Sequence, residues 1–229
     1  MPPSTTPPKQ IPFDFDHRPA LGGEDFLVAP SNAEAVAWVE RWPGWPGTAL
    51  VIVGPRGAGK THLAHVFQAL SAAPVITPGI LREEGADRVL DRQPALVLED
   101  AEAFVGAGLE EELLHLYNLA REGDVKLLLT AETPPARWSI GLKDLSSRLN
   151  TAQVAEIRPP DDALLTALIV KQFADRQLGV DQDVLTYMLA RMDRSFAGVS
   201  DLVRAIDEAA LAQKRAITIP LVRRVLENN

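Results

Sequence analysis

A chain of 229 residues with 46% hydrophobic and 24% charged residues holds enough apolar material for one substantial core and a small second unit, and wholesale disorder is excluded. Its net charge of −8 and pI near 5.1 lack the electrostatic footprint that drives binding to nucleic-acid phosphates. No cysteine is present, which excludes disulfides, thiolate metal sites and cysteine nucleophiles; no apolar run approaches the ~18–20 residues that a membrane-spanning helix needs, and the proline-rich start is no signal peptide.

Met1 to Lys9 contains four prolines and nothing to bury, and reads as a mobile leader. Gln10-Ile11-Pro12-Phe13-Asp14-Phe15 follows, with apolar side chains alternating as an extended peptide presents them. Pro12 forbids a helix interior there. Ser31 with Glu34 three residues on reads as a capping box opening a helix, with Val36, Val39 and Trp42 on one face before Pro43. Trp38, Trp42 and Trp45 are expected to wedge that helix against the body of the domain.

Ala49 to Val53 is a short, β-branched apolar run closed by Gly54, the pattern of a strand buried on both faces of a parallel sheet. A helix is expected from about Gly59 to Ala72. Val75-Ile76, Ala95 to Leu98 and Lys126 to Thr130 are further strands, with a helix over Leu109 to Arg121. Strands alternating with helices predict an α/β fold with a parallel sheet. Beyond Arg158-Pro159-Pro160 only helical periods occur, over Asp161–Gly179, Asp181–Met192, Val199–Lys214 and Pro220–Leu226. From residue 161 onward 9 basic residues stand against 10 acidic ones, so the helical part is no basic module either. The expected organisation is an arm over 1–16, an α/β base over 17–159 and an all-helical lid over 160–229.

Gly54-Pro55-Arg56-Gly57-Ala58-Gly59-Lys60-Thr61 fits G-x-x-x-x-G-K-[ST] without a mismatch, between a buried strand and a helix. Glycines let backbone N–H groups close around phosphate oxygens, and the helix N-terminus adds its positive end. Lys60 supplies charge to the β- and γ-phosphates and the Thr61 hydroxyl is a ligand for Mg²⁺. The pattern points to a purine nucleotide. In such sites an acidic residue at a neighbouring strand end completes the metal station. Glu99-Asp100, 39 residues beyond Lys60, occupies that place. The usual hydrolytic order is Asp first, then the acid that polarises water. The reversed order alters both reaches, and shifts of about 1 Å can cost about 10²-fold in rate. Binding survives such a change more easily than turnover. His62 and His65 read as packing or surface residues, not metal ligands.

Phe26-Leu27-Val28-Ala29-Pro30-Ser31-Asn32, Leu50 to Gly54 and Ala58-Gly59-Lys60-Thr61-His62-Leu63 resemble successive boxes of the AAA+ domain of the DnaA family, bacterial replication initiators. Leu128-Leu129-Thr130-Ala131-Glu132 is similar to the sensor I strand, with Glu132 where Asp is usual. Asp144 to Leu149 resembles the segment carrying the arginine finger, with Arg148 at the finger position. Ile157 to Asp161 looks like the base-to-lid junction. The resemblance spans residues 22–227 and implies nucleotide contacts from Val28, the phosphate loop and His62. The sensor II position falls at Ser200, with Arg204 about one turn later and Arg194 as an alternative. Ser200 would weaken a γ-phosphate contact and favour ADP.

A DnaA-like AAA+ domain with a short arm, and with the DNA-reading domain expected to be absent after Asn229, is most similar to the Hda family of DnaA-inactivating regulators. That resemblance implies that Gln10, Ile11, Phe13 and Phe15 dock on the β sliding clamp of DNA polymerase III, as an extended peptide fills side-chain pockets. It implies DnaA as partner, Arg148 as a finger supplied in trans, no sequence-specific DNA contact, no membrane and a bacterial cytoplasmic location. It implies no efficient catalysis of its own, and it is compatible with a homo-oligomer. The competing expectation is an autonomous AAA+ ATPase or helicase loader. A small P-loop kinase is disfavoured by the all-helical final third.

Overall fold

A computed structural model describes residues 28–213 and 216–227. The hexapeptide at 10–15 therefore lies outside the described residues. Five strands form one parallel sheet: β1 (Ala49–Val53), β2 (Val75–Ile76), β3 (Ala95–Leu98), β4 (Lys126–Ala131) and β5 (Gln153–Glu156), in the order β2-β3-β4-β1-β5. β1, β3 and β4 are buried along their whole length, which is why β1 and β3 read as unbroken apolar runs and β4 carries Leu127-Leu128-Leu129 at its centre. Their side chains alternate between two cores. Val51, Leu96, Leu98, Leu127 and Leu129 face one side; Leu50, Ile52, Val97 and Leu128 face the other. Full burial of such a side chain contributes about 1.5–3 kcal/mol.

The second core is covered by α1 (Ala33–Glu40) and α2 (Lys60–Ser71). Trp45 stacks on Phe67 of α2 at 5.2 Å between ring centroids, and Trp42 meets the same ring edge-on at 6.0 Å. The tryptophans do wedge the first helix against the base. The first core lies under α3 (Pro78–Glu84), α4 (Ala86–Leu90), α5 (Glu102–Gly106), α6 (Glu110–Glu122) and α7 (Lys143–Asn150).

The capping box at Ser31 does not form. Asn32 occupies the cap position of α1, and its Oδ1 turns back to accept from the Ala29 N–H at 2.8 Å instead of serving the helix. The Ser31 hydroxyl is buried without a partner among the described residues. Trp42 lies beyond the end of α1, not on its face.

The last four helices, α8 (Asp162–Asp175), α9 (Gln182–Leu189), α10 (Phe196–Gln213) and α11 (Ile219–Glu227), enclose a separate core of Ile169, Phe173, Met188, Val203 and Ile206 among others. α8 stops four residues earlier than its apolar pattern suggested, at a left-handed Gln177. α10 starts three residues earlier because the Ser195 hydroxyl accepts from the Gly198 N–H at 2.9 Å and opens the helix there. The fold is an α/β base with a parallel sheet and a helical lid, as expected.

Candidate nucleotide site

The loop after β1 continues the ladder for one residue, Gly54 N–H donating to Ala131 of β4, and then turns away over the strand ends. Two glycines carry the turn at positive φ, Gly57 at 70° and Gly59 at 95°. Gly54 is also confined, since a Cβ there would meet the Ile157 carbonyl at 2.6 Å. Lys60, buried to 8% exposure in the first turn of α2, donates from Nζ to the Gly54 and Pro55 carbonyls at 2.7 and 3.0 Å. An ammonium has three protons, so this tether holds the charge over the loop and keeps one donor for an anion.

The acidic pair after β3 meets the same helix turn. The Thr61 hydroxyl donates to Glu99 Oε2 at 2.9 Å. Asp100 takes a left-handed backbone, φ 49°, which Asp tolerates better than most residues; its N–H donates to Thr130 Oγ1 at 3.1 Å. Among the described residues no cluster of three or more His, Cys, Asp or Glu could hold a metal by itself. A hydroxyl and a carboxylate in contact beside a phosphate loop nevertheless fit Mg²⁺, which takes one or two protein oxygens and completes its shell with phosphate and water.

These elements wall a cavity of about 650 Å³ closed on its far side by the lid. Lys60, Thr61, Asp100 and Glu132 line it from the base; Phe196, Ala197 and Ser200 line it from α10. Arg56 reaches across the mouth, its Nε donating to Glu132 Oε1 at 2.7 Å. That hydrogen bond and the carboxylate charge push the Arg56 guanidinium further up.

The lid is the part that decides relationship. A family model of the Hda lid domain matches residues 161–226. The chain superposes on domain III of the Thermotoga maritima replication initiation protein DnaA with a TM-score of 0.79, at 18% identity over 92% of this chain and 97% of that one. The lid thus matches the Hda family, and the chain as a whole has the fold of the DnaA AAA+ domain. AMPPCP-bound DnaA from Aquifex aeolicus matches with a TM-score of 0.70, at 17% identity over 84% of this chain and 66% of that one. The Thermotoga maritima Holliday-junction branch-migration motor RuvB matches at 0.64, with 18% identity over 86% and 66% of the two chains. At such identities these likenesses establish the AAA+ fold.

Against that AAA+ frame the remaining expected residues fall in different places. Ser200 lines the cavity and accepts from Gln172 Nε2 at 3.0 Å. Arg204 does not line it; its guanidinium pairs with Asp201 at 2.8 Å on the lid surface. Arg194 pairs with Asp162 and lines a smaller cavity on the other side of the phosphate loop, with Pro159 and Pro160. Val28 packs against the core under α1 and α2. His62 is half-buried and His65 exposed. Arg148 sits in the last turn of α7, outside the lining of the cavity, and its buried Nε has no hydrogen-bond partner among the described residues.

Glu102 lines the cavity and was not anticipated. Its carboxylate accepts from the backbone N–H groups of Glu132 and Thr133 and from the Thr133 hydroxyl. Partial burial pushes this carboxyl up, but the Thr133 and Glu132 hydrogen bonds outweigh it and hold Glu102 below the ordinary carboxylate range. Its sequence signal is slight, an acidic residue in the first turn of a short helix; Thr133 lies 31 residues away.

Proposed function

We propose that this chain regulates replication initiation by holding adenine nucleotide, ADP or ATP with Mg²⁺, and by stimulating hydrolysis of the ATP bound to DnaA. The Hda-type lid on a DnaA-like base supports this, and the DnaA of Aquifex aeolicus binds the ATP analogue AMPPCP in the matching fold. Within the site, Lys60 and the phosphate-loop amides would bind the phosphates, and Thr61 with Glu99 would hold the metal, which supplies charge neutralisation on the phosphate oxygens. In this reading residues 1–16 are the arm that docks on the β sliding clamp through Gln10, Ile11, Phe13 and Phe15, residues 17–159 the base and 160–229 the lid.

Arg148 carries the reading. It stands off its own phosphate loop with a buried N–H lacking an acceptor among the described residues. Leaving such a donor unmet costs about 1–3 kcal/mol, a cost that an acceptor brought by a partner removes. A planar, permanently charged fork suits the equatorial oxygens of a transferring phosphoryl group held by that partner. Measuring phosphate release from ATP-loaded DnaA with clamp-loaded DNA, with wild-type protein and Arg148→Ala, tests it. The contact of Thr61 with Glu99 favours a second reading, an autonomous AAA+ ATPase or helicase loader, because it keeps the chain's own metal station assembled. Release of phosphate by this protein alone would select that reading.

A further inference from the structure

The carboxylate of Glu102, at the start of α5, holds the loop after β4 at two oxygens. Oε1 accepts from Thr133 N at 2.8 Å and Thr133 Oγ1 at 2.7 Å, and Oε2 accepts from Glu132 N at 3.2 Å. The carboxylate of Glu132 then accepts from Arg56 Nε at 2.7 Å. Glu102, Glu132 and Arg56 belong to the segments that follow β3, β4 and β1, three neighbours in the sheet, and all three line the same cavity. The result is a polar brace laid across three strand ends, with the phosphate-loop arginine as its last member.

Arg56 is a long side chain at 92% exposure, and an exposed ion pair contributes little against the entropy of ordering it. What makes this pair hold a position is the backbone behind it. Glu132 cannot drift, because its own N–H and those of its neighbour are fixed by a charged acceptor, and charge-assisted bonds of this kind are about twice as strong as neutral ones. Arg56 has five N–H donors and spends one on Glu132, so its terminal nitrogens stay available over the phosphate loop.

We infer that Glu102 is a positioning residue of the nucleotide site: it fixes the loop at Glu132 and Thr133 and, through Glu132, holds Arg56 over the cavity. The inference rests on the nucleotide reading for its consequence and on the brace alone for its geometry, so the two are tested separately.

Glu102→Gln is the sharp variant. Its carbonyl oxygen replaces Oε1 and keeps both Thr133 contacts, while its amide sets a donor against the Glu132 N–H and releases that end. Glu102→Ala removes both. In nucleotide-free protein, the Arg56 Nε–H resonance should sit apart from free arginine in wild type and move to the free position in Glu102→Gln and Glu102→Ala. Calorimetry with ADP should show about tenfold weaker binding for Glu102→Gln and for Arg56→Ala, and no further loss for the double variant, since the two act through one chain of contacts. An unmoved Arg56 resonance in both Glu102 variants, or losses that multiply in the double variant, would overturn the positioning role. If the Arg56 resonance moves in both Glu102 variants as expected yet wild type binds no ADP, the brace stands and the nucleotide reading falls.

Discussion

The backbone N–H of Phe196, the first residue of α10, donates to the Gly57 carbonyl of the phosphate loop across 2.9 Å. The lid is thus hydrogen-bonded to the loop itself, and a Cβ at Gly57 would lie 2.8 Å from Ser195 Cβ. Gly57→Ala therefore meets both the lid and an unfavourable backbone, φ 70°, which costs a side chain about 1–2 kcal/mol. We expect a lower melting temperature and weaker nucleotide retention together. A Gly57→Ala protein that melts and binds as wild type does would show that the lid does not rest on this loop.

Lys60→Ala removes the charge that the Gly54 and Pro55 carbonyls hold over the loop. ADP affinity should fall by roughly 10- to 100-fold, the range for losing a hydrogen bond to a charged group. Isothermal calorimetry is the measurement, and unchanged affinity would remove the phosphate-loop assignment.

Glu102 gives the site a definite pH response. Its carboxyl is held below the ordinary range when folded. Its stabilisation is therefore complete above the unfolded glutamate value of about 4.3 and is lost as pH falls through the depressed folded value. Urea unfolding of wild type from pH 7 down to pH 3 should lose stability more steeply at the acid end than Glu102→Gln does. Parallel curves would contradict that origin of the shift.

How much was legible in the chain follows from how each feature is encoded. The buried strands and the phosphate loop announce themselves locally, since β1, β3 and β4 are apolar on both faces and Gly54 to Thr61 is contiguous. β5 escaped because an edge strand of four residues, Gln153-Val154-Ala155-Glu156, carries only two apolar side chains. α3, α4 and α5 escaped because helices of five to seven residues hold too few turns to establish a period, and α7 because its only apolar positions are Leu145 and Leu149. Ser31 misled because Asn32 beside it took the cap position and spent its side chain on Ala29. Glu102 and the tie of Arg56 to Glu132 are tertiary facts, with partners 31 and 76 residues apart that only the strand order brings together.

The proposed clamp contact of the arm should be separable by experiment from the fold of the described residues. Replacing Gln10, Phe13 and Phe15 by Ala should end binding to the β sliding clamp in surface plasmon resonance while leaving the thermal melt nearly unchanged. A large drop in melting temperature with clamp binding intact would mean that the hexapeptide packs on its own domain.

The most direct measurement is phosphate release from ATP-loaded DnaA on clamp-loaded DNA, with wild-type protein, Arg148→Ala and Arg148→Lys. The trans-finger mechanism predicts stimulation by wild type, and loss of it in both variants while nucleotide binding and melting temperature persist, because a lysine does not reproduce the planar fork. An arginine finger is worth about 10³–10⁵ in rate where one acts in GTPases, so the loss should be plain. Equal stimulation by wild type and Arg148→Ala would contradict it.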